Sequence, residues 1–145
     1  MTKTIQREIL IPQPREQVWR ALADSAALAE WMFPNDFVPR VGHHFTFQVP
    51  PNPKVGFDGM VVRCEVLECE RPSRLAFSWS AGGLVDTQVS FRLEPDGEGT
   101  RLLFEHSGFD QTWAEQAVRG AEFGWAKMLG QLPAVVAGLA AHRDK

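Results

Sequence analysis

Apolar residues recur with a period of two through the middle of the chain and with a period of 3.6 towards its end. Residues 4–11 alternate loosely and predict a strand with Ile5, Arg7, Ile9 and Ile11 on one face. Pro12 and Pro14 end it, and Pro14 suits the first turn of a helix carrying Val18, Trp19 and Leu22. Asp24-Ser25 is a break and an N-cap for a second short helix, Ala26 to Trp31. From Gly42 the period becomes two. His43 to Val49 predicts a strand with Phe45, Phe47 and Val49 on one side, followed by a proline-rich connection at 50–54.

A longer strand should run from about Phe57 to Cys69. Its apolar parity switches from Met60, Val62, Cys64 and Val66 to Leu67 and Cys69, which predicts a bulge near 65–68. Leu75, Phe77 and Trp79 alternate in the next strand, and Ala81-Gly82-Gly83 turns the chain. Thr87 to Glu94 and Thr100 to Ser107 form a hairpin about Pro95-Asp96-Gly97. The first strand turns Val89, Phe91 and Leu93 inward, and the second places Leu102, Phe104 and His106 on one face.

A long helix then spans about Thr112 to Ala141, with Thr112 and Glu115 spaced as a capping box. Its stripe is Val118, Ala121, Trp125, Met128, Leu132, Val135 and Leu139, and Pro133 should kink it. Its glycines suit a close approach to something bulky, such as the sheet. The order is strand, two short helices, five strands and a long helix. It predicts an α+β fold in which a curved six-stranded antiparallel sheet wraps around the C-terminal helix, as one domain over 1–145.

Composition narrows what such a domain can do. At 145 residues the chain can bury a core without disulfides or metals. A net charge of −3 argues against a nucleic-acid footprint or attraction to an anionic membrane. The N-terminus has no apolar stretch of the kind found in signal peptides, and no apolar run could span a bilayer, so a cytoplasmic location is expected. Cys64 and Cys69 fit neither a zinc pair nor a redox motif and read as reduced, packed thiols. Ten Phe, five Trp and no Tyr suit a dry core or an apolar pocket.

The motifs also resemble a known family. Arg7, Pro12 and Val18-Trp19-Arg20-Ala21-Leu22 are similar to its opening strand and helix, and Leu28 to Pro34 to an L-x-x-W-F-x-P segment. Glu65-Val66-Leu67-Glu68 with Pro72 and Arg74-Leu75, and the Phe77-Ser78-Trp79 strand, resemble its central portion. Gly99-Thr100 with Leu102, then Glu105-His106-Ser107-Gly108-Phe109, resembles G-T-x-L-x-x-x-H-S-G-F; Gly124-Trp125, Leu129 and Leu132 resemble its close. The family is the activator of heat-shock-protein-90 ATPase homologues, within the START-like SRPBCC superfamily. The resemblance implies the helix-grip fold and, by the family's name, a chaperone partner and a stress response. Cys64 stands where the family pattern suggests a small residue such as Gly, which bears on local strand curvature.

No phosphate loop, nucleophile elbow or paired carboxylates on one helix face occur. His43 and His44 point to opposite sides of a strand, and no metal or cofactor is expected. His106 reads as a core histidine bonded to backbone or to the helix, or else as a ligand contact or general acid–base group. Arg7 reads as a structural pair, with Glu65 as candidate partner, as an edge residue reaching water, or as an anchor for an acidic or carbonyl group. Trp31, Phe33, Phe45, Phe57, Trp79, Phe91, Phe104, Trp125 and Met128 supply core packing and, where a curved sheet leaves space against the helix, pocket walls. Phe33, Trp79 and Trp125 are the preferred walls.

Three functions fit: a binder of an apolar or lipid-like small molecule, a cyclase- or hydrolase-like enzyme on an aromatic substrate using His106 and Arg7, and a co-chaperone. The first is favoured. Apolar residues expected to be exposed on the short helix pair are candidates for a homodimer contact.

Overall fold

A computed structural model describes residues 3–51, 53–55, 59–81, 84–109 and 114–143. Strand β1 (Lys3–Ile11) leads into α1 (Arg15–Ala23) and α2 (Ser25–Trp31). Strands β2 (His44–Val49), β3 (Met60–Glu70), β4 (Arg74–Ala81), β5 (Leu84–Asp96) and β6 (Gly99–Phe109) follow, and α3 (Ala114–Arg143) closes the order. The six strands form one antiparallel sheet in the order β1-β6-β5-β4-β3-β2. Consecutive strands β2 to β6 are hairpin neighbours. The N-terminal strand crosses to the far edge beside β6, so the two short helices bridge the full width of the sheet.

Local chemistry explains the joins. The Asp24 carboxylate accepts a hydrogen bond from the Ala27 amide at 3.2 Å, which satisfies one of the first-turn donors of α2. Asn35 fastens the chain after α2: its side-chain amide donates to the carbonyls of Ser25 and Phe33, and its oxygen accepts from the Phe37 amide and the Ser25 hydroxyl. In β3 the register shifts between Val66 and Glu68, so the expected bulge is present. Cys64 lies before it in regular pairing with Phe45, and its thiol adds no irregularity of its own. At the β5–β6 turn, Gly97 takes a φ of +59°. Gly99 begins β6 so close to the preceding crossover that a Cβ there would lie 2.6 Å from the Ile11 carbonyl oxygen.

The expected helix extent also needs amending. Thr112 lies outside the described residues, and α3 continues through Pro133 to Arg143. Among its described side chains the buried ones are Trp125, Met128, Leu129, Leu132 and Val136, whereas Val135 and Leu139 are only partly buried; the side chains of Val118 and Ala121, expected on the same stripe, lie outside those described. After Leu132 the inward position therefore falls at i+4 rather than i+3, and a stripe built on i+3 steps there chose Val135. The apolar side chains of α1 and α2, Val18, Trp19, Leu22, Leu28 and Trp31 among them, are buried within the chain. They are consumed by intramolecular packing and are not available for the dimer contact suggested for them. No helix among the described residues is long and apolar enough to cross a membrane.

Candidate functional site

Strand alternation delivers one side chain in two from β2, β4, β5 and β6 to the buried face of the sheet. Phe45 and Phe47 come from β2, Phe77 and Trp79 from β4, Phe91 from β5, and Phe104 and His106 from β6, all buried. The rings touch in sequence. Phe47 meets Trp79 at 5.6 Å between centroids, Trp79 meets Trp125 of α3 at 5.3 Å, Trp125 meets Phe104 at 4.4 Å, and Phe104 meets Phe91 at 5.3 Å. Trp31 packs edge-on against Phe91 at 6.0 Å, and its indole N–H donates to the Ala21 carbonyl at 2.8 Å. Such offset and edge-on geometries are the favoured ones for aromatic quadrupoles.

A short polar chain runs through this apolar layer. His106 is 0% exposed. The Trp125 indole N–H donates to His106 Nδ1 at 3.0 Å. An indole nitrogen only donates, so Nδ1 is the acceptor and the neutral ring carries its proton on Nε2. That nitrogen lies 2.9 Å from Thr87 Oγ1, and the Thr87 hydroxyl in turn donates to the Trp79 carbonyl at 2.6 Å. The donors all point one way, from helix to sheet. Burial pushes the imidazole pKa down to about 4, because desolvation penalises the cation. The ring is therefore neutral at physiological pH, with both nitrogens engaged. General acid–base work at His106 would first require one of these bonds to break.

Arg7 is placed differently. Its side chain is 40% exposed, Nη2 lies 3.4 Å from Glu122 Oε2 on α3, and Nη1 donates to the Gln6 carbonyl at 2.7 Å. The partner is Glu122, not Glu65. The sheet order explains why: Arg7 is on edge strand β1 and Glu65 on β3, with β6, β5 and β4 between them. Beside Arg7, a hollow of about 320 Å³ opens between β1 and α3, lined by Ile9, Ala126, Leu129, Gly130 and Pro133. The small helix residues keep it open: a Cβ on Gly130 would meet nothing within 4 Å.

The other expected residues divide accordingly. Phe45, Trp79, Phe91, Phe104, His106, Trp125 and Met128 gather at the sheet–helix layer, and Trp31 caps it from α2. Phe33 is only partly buried at its margin. Phe57 lies outside the described residues. Thr87 was not singled out from the sequence, although it shares parity with Val89, Phe91 and Leu93, and a hydroxyl on that face beside His106 was the available signal. Glu122 and Ala126 were also passed over, because they flank the apolar stripe rather than belong to it, and the close approach expected at the helix glycines is not what the structure has: a Cβ on Gly124, Gly130 or Gly138 would meet nothing within 4 Å. The thiols of Cys64 and Cys69 are free and both are pushed up in pKa by burial, with the Asp36 carboxylate adding to the effect at Cys64.

Comparisons with known proteins agree with this architecture. The family described as Activator of Hsp90 ATPase homolog 1-like protein matches residues 12–137. No curated protein matches the chain in sequence. Among solved structures, protein MLL2253 from Mesorhizobium loti is 33% identical with a TM-score of 0.81, over 93% of this chain and 97% of that one. Protein BH1534 from Bacillus halodurans is 31% identical with a TM-score of 0.74, over 94% and 99%. The Aha1 dimer from Colwellia psychrerythraea is 20% identical with a TM-score of 0.75, over 92% and 96%, a likeness of fold.

Proposed function

The chain belongs to the Activator of Hsp90 ATPase homolog 1-like family, and from that premise we propose that it binds an apolar small molecule between its sheet and C-terminal helix, without chemistry of its own. The observation that carries the reading is the hollow between β1 and α3, whose lining is apolar apart from Arg7 and Glu8. A groove with an apolar lining and one or two convergent polar groups is the usual form of a small-molecule site. Arg7 suits a carboxylate or carbonyl head at the mouth, since its pair with Glu122 is long and solvent-exposed and so costs little to exchange. Leu129, at the floor of the hollow, neighbours Met128 and the Trp125 layer along the helix. The apolar part of a ligand would rest on Ile9, Leu129 and Pro133.

The engaged His106 ring favours this reading over a cyclase- or hydrolase-like one. A co-chaperone role rests on the family's description alone. Thermal shift and native mass spectrometry against fatty acids, flavonoids and neutral apolar compounds test the proposal. Stabilisation by at least one class is expected, with retained mass at 1:1 stoichiometry. No stabilisation across the whole set would refute it.

A further inference from the structure

The opposite face of the sheet carries a second feature, which meets the groove under α3 only at Arg7 and Glu8 on edge strand β1. Alternation buries Phe91 and Leu93 and turns Ser90 and Arg92 outward. In the β4–β5 register Arg74 stands directly opposite Arg92. Like charges placed so destabilise a sheet relative to neutral pairs. Arg74 is met by Glu68 at 2.6 Å on its other side, whereas Arg92 has no ion-pair partner among the described residues. Both arginines and Ser90 line an outer-face hollow of about 480 Å³. Two carboxylates border the same hollow: Glu8 pairs with Arg101 at 2.9 Å, and Glu105, which accepts from the neutral Gln6 amide at 3.0 Å, keeps its charge, against which Arg7, Arg74 and Arg92 set three guanidinium groups on the lining.

We propose that this hollow is a binding site for a phosphate-type oxyanion, held by Arg92 and Arg74 with the Ser90 hydroxyl. Guanidinium forks donate in pairs, and a phosphoryl group has three terminal oxygens with which to meet two forks and a hydroxyl together. A carboxylate has too few oxygens to satisfy all three. Leu103, directly opposite Arg92 on β6, provides an apolar surface beside the charges for the organic part of a phosphate ester. Bound anion would relieve the repulsion between the arginines, so binding and folding stability should rise together.

The test is a titration of the whole protein with inorganic phosphate and pyrophosphate at constant ionic strength, followed by amide NMR shifts, with acetate and chloride as comparison anions. Saturable shifts centred on Ser90–Leu93 and Arg74 are expected, tighter for pyrophosphate than for acetate and weaker as salt screens the exposed charges. Arg92→Gln should weaken binding about tenfold or more, the scale of one lost charge-assisted bond. Arg71→Gln, at an exposed arginine paired with Glu16, should leave it unchanged. The melting temperature of Arg92→Gln should rise less with phosphate than that of the parent at every concentration. Shifts that stay linear in concentration, or that saturate in Arg92→Gln at the same phosphate concentration as in the parent, would overturn the proposal.

Discussion

Replacing Thr87 by Val removes a hydroxyl and leaves the shape of the side chain nearly unchanged. The hydroxyl is buried, accepts from His106 Nε2 at 2.9 Å and donates to the Trp79 carbonyl at 2.6 Å. Without it, a buried N–H and a buried carbonyl each lose a partner, and an unmet buried group costs about 1–3 kcal/mol. The Trp79 carbonyl keeps a second lone pair for the strand ladder, so the histidine accounts for most of the cost. The added methyl returns up to about 0.8 kcal/mol of transfer energy. A net loss of about 1–2 kcal/mol follows, equivalent to a fall of roughly 3–6 °C in Tm for a domain of this size. Urea unfolding followed by tryptophan fluorescence measures the change, and an unchanged slope would show that the unfolded state is not responsible. Side-chain 15N shifts should report the Nε2–H tautomer of His106 in the parent. A variant as stable as the parent, or a parent ring protonated on Nδ1, would refute the chain from Trp125 to Trp79.

Two further outcomes follow from the same geometry. The His106 pKa is about 4 folded against about 6.5 unfolded, so the unfolded chain takes up the proton first as pH falls. Its contribution is full above pH 6.5, declines between about 6.5 and 4 by up to about 3 kcal/mol, and is flat below; in His106→Gln the slope of stability over that window should drop by close to one proton, and an unchanged slope would contradict the burial assigned to this ring. Gly99→Ala should destabilise by about 1–3 kcal/mol, the range for forced overpacking, because its Cβ would press on the Ile11 backbone oxygen; equal urea midpoints for variant and parent would show that the crossover yields freely.

Most of the architecture was legible in the sequence because strand and helix periods are local properties. The Val66–Glu68 register shift announced itself as a change of apolar parity, and the β5–β6 hairpin as Pro95-Asp96-Gly97 between alternating runs. What was not legible depended on which strands become neighbours. Arg7 could be placed on a face but not paired, since its partner Glu122 is 115 residues away across the β1–α3 contact. The role of Thr87 needed the β4–β5–β6 register, which brings a threonine, a histidine and a tryptophan carbonyl together. The buried position of Val136 needed the helix phase after Pro133, which i+3 counting missed by one residue. Burial of nearly all the described aromatic residues shows that composition alone could not separate filled core from open groove.

The central claim is that an apolar ligand enters between β1 and α3, and Gly130→Leu tests it most directly. A Cβ at Gly130 meets nothing within 4 Å, so a leucine there fills the hollow without displacing backbone. Removing a helical glycine should raise stability by about 0.5–1 kcal/mol. Titrating the variant with a ligand that stabilises the parent, and following both tryptophan fluorescence and Tm, should show a more stable protein that has lost binding by tenfold or more. A variant that is stabilised yet binds that ligand as the parent does would contradict the account.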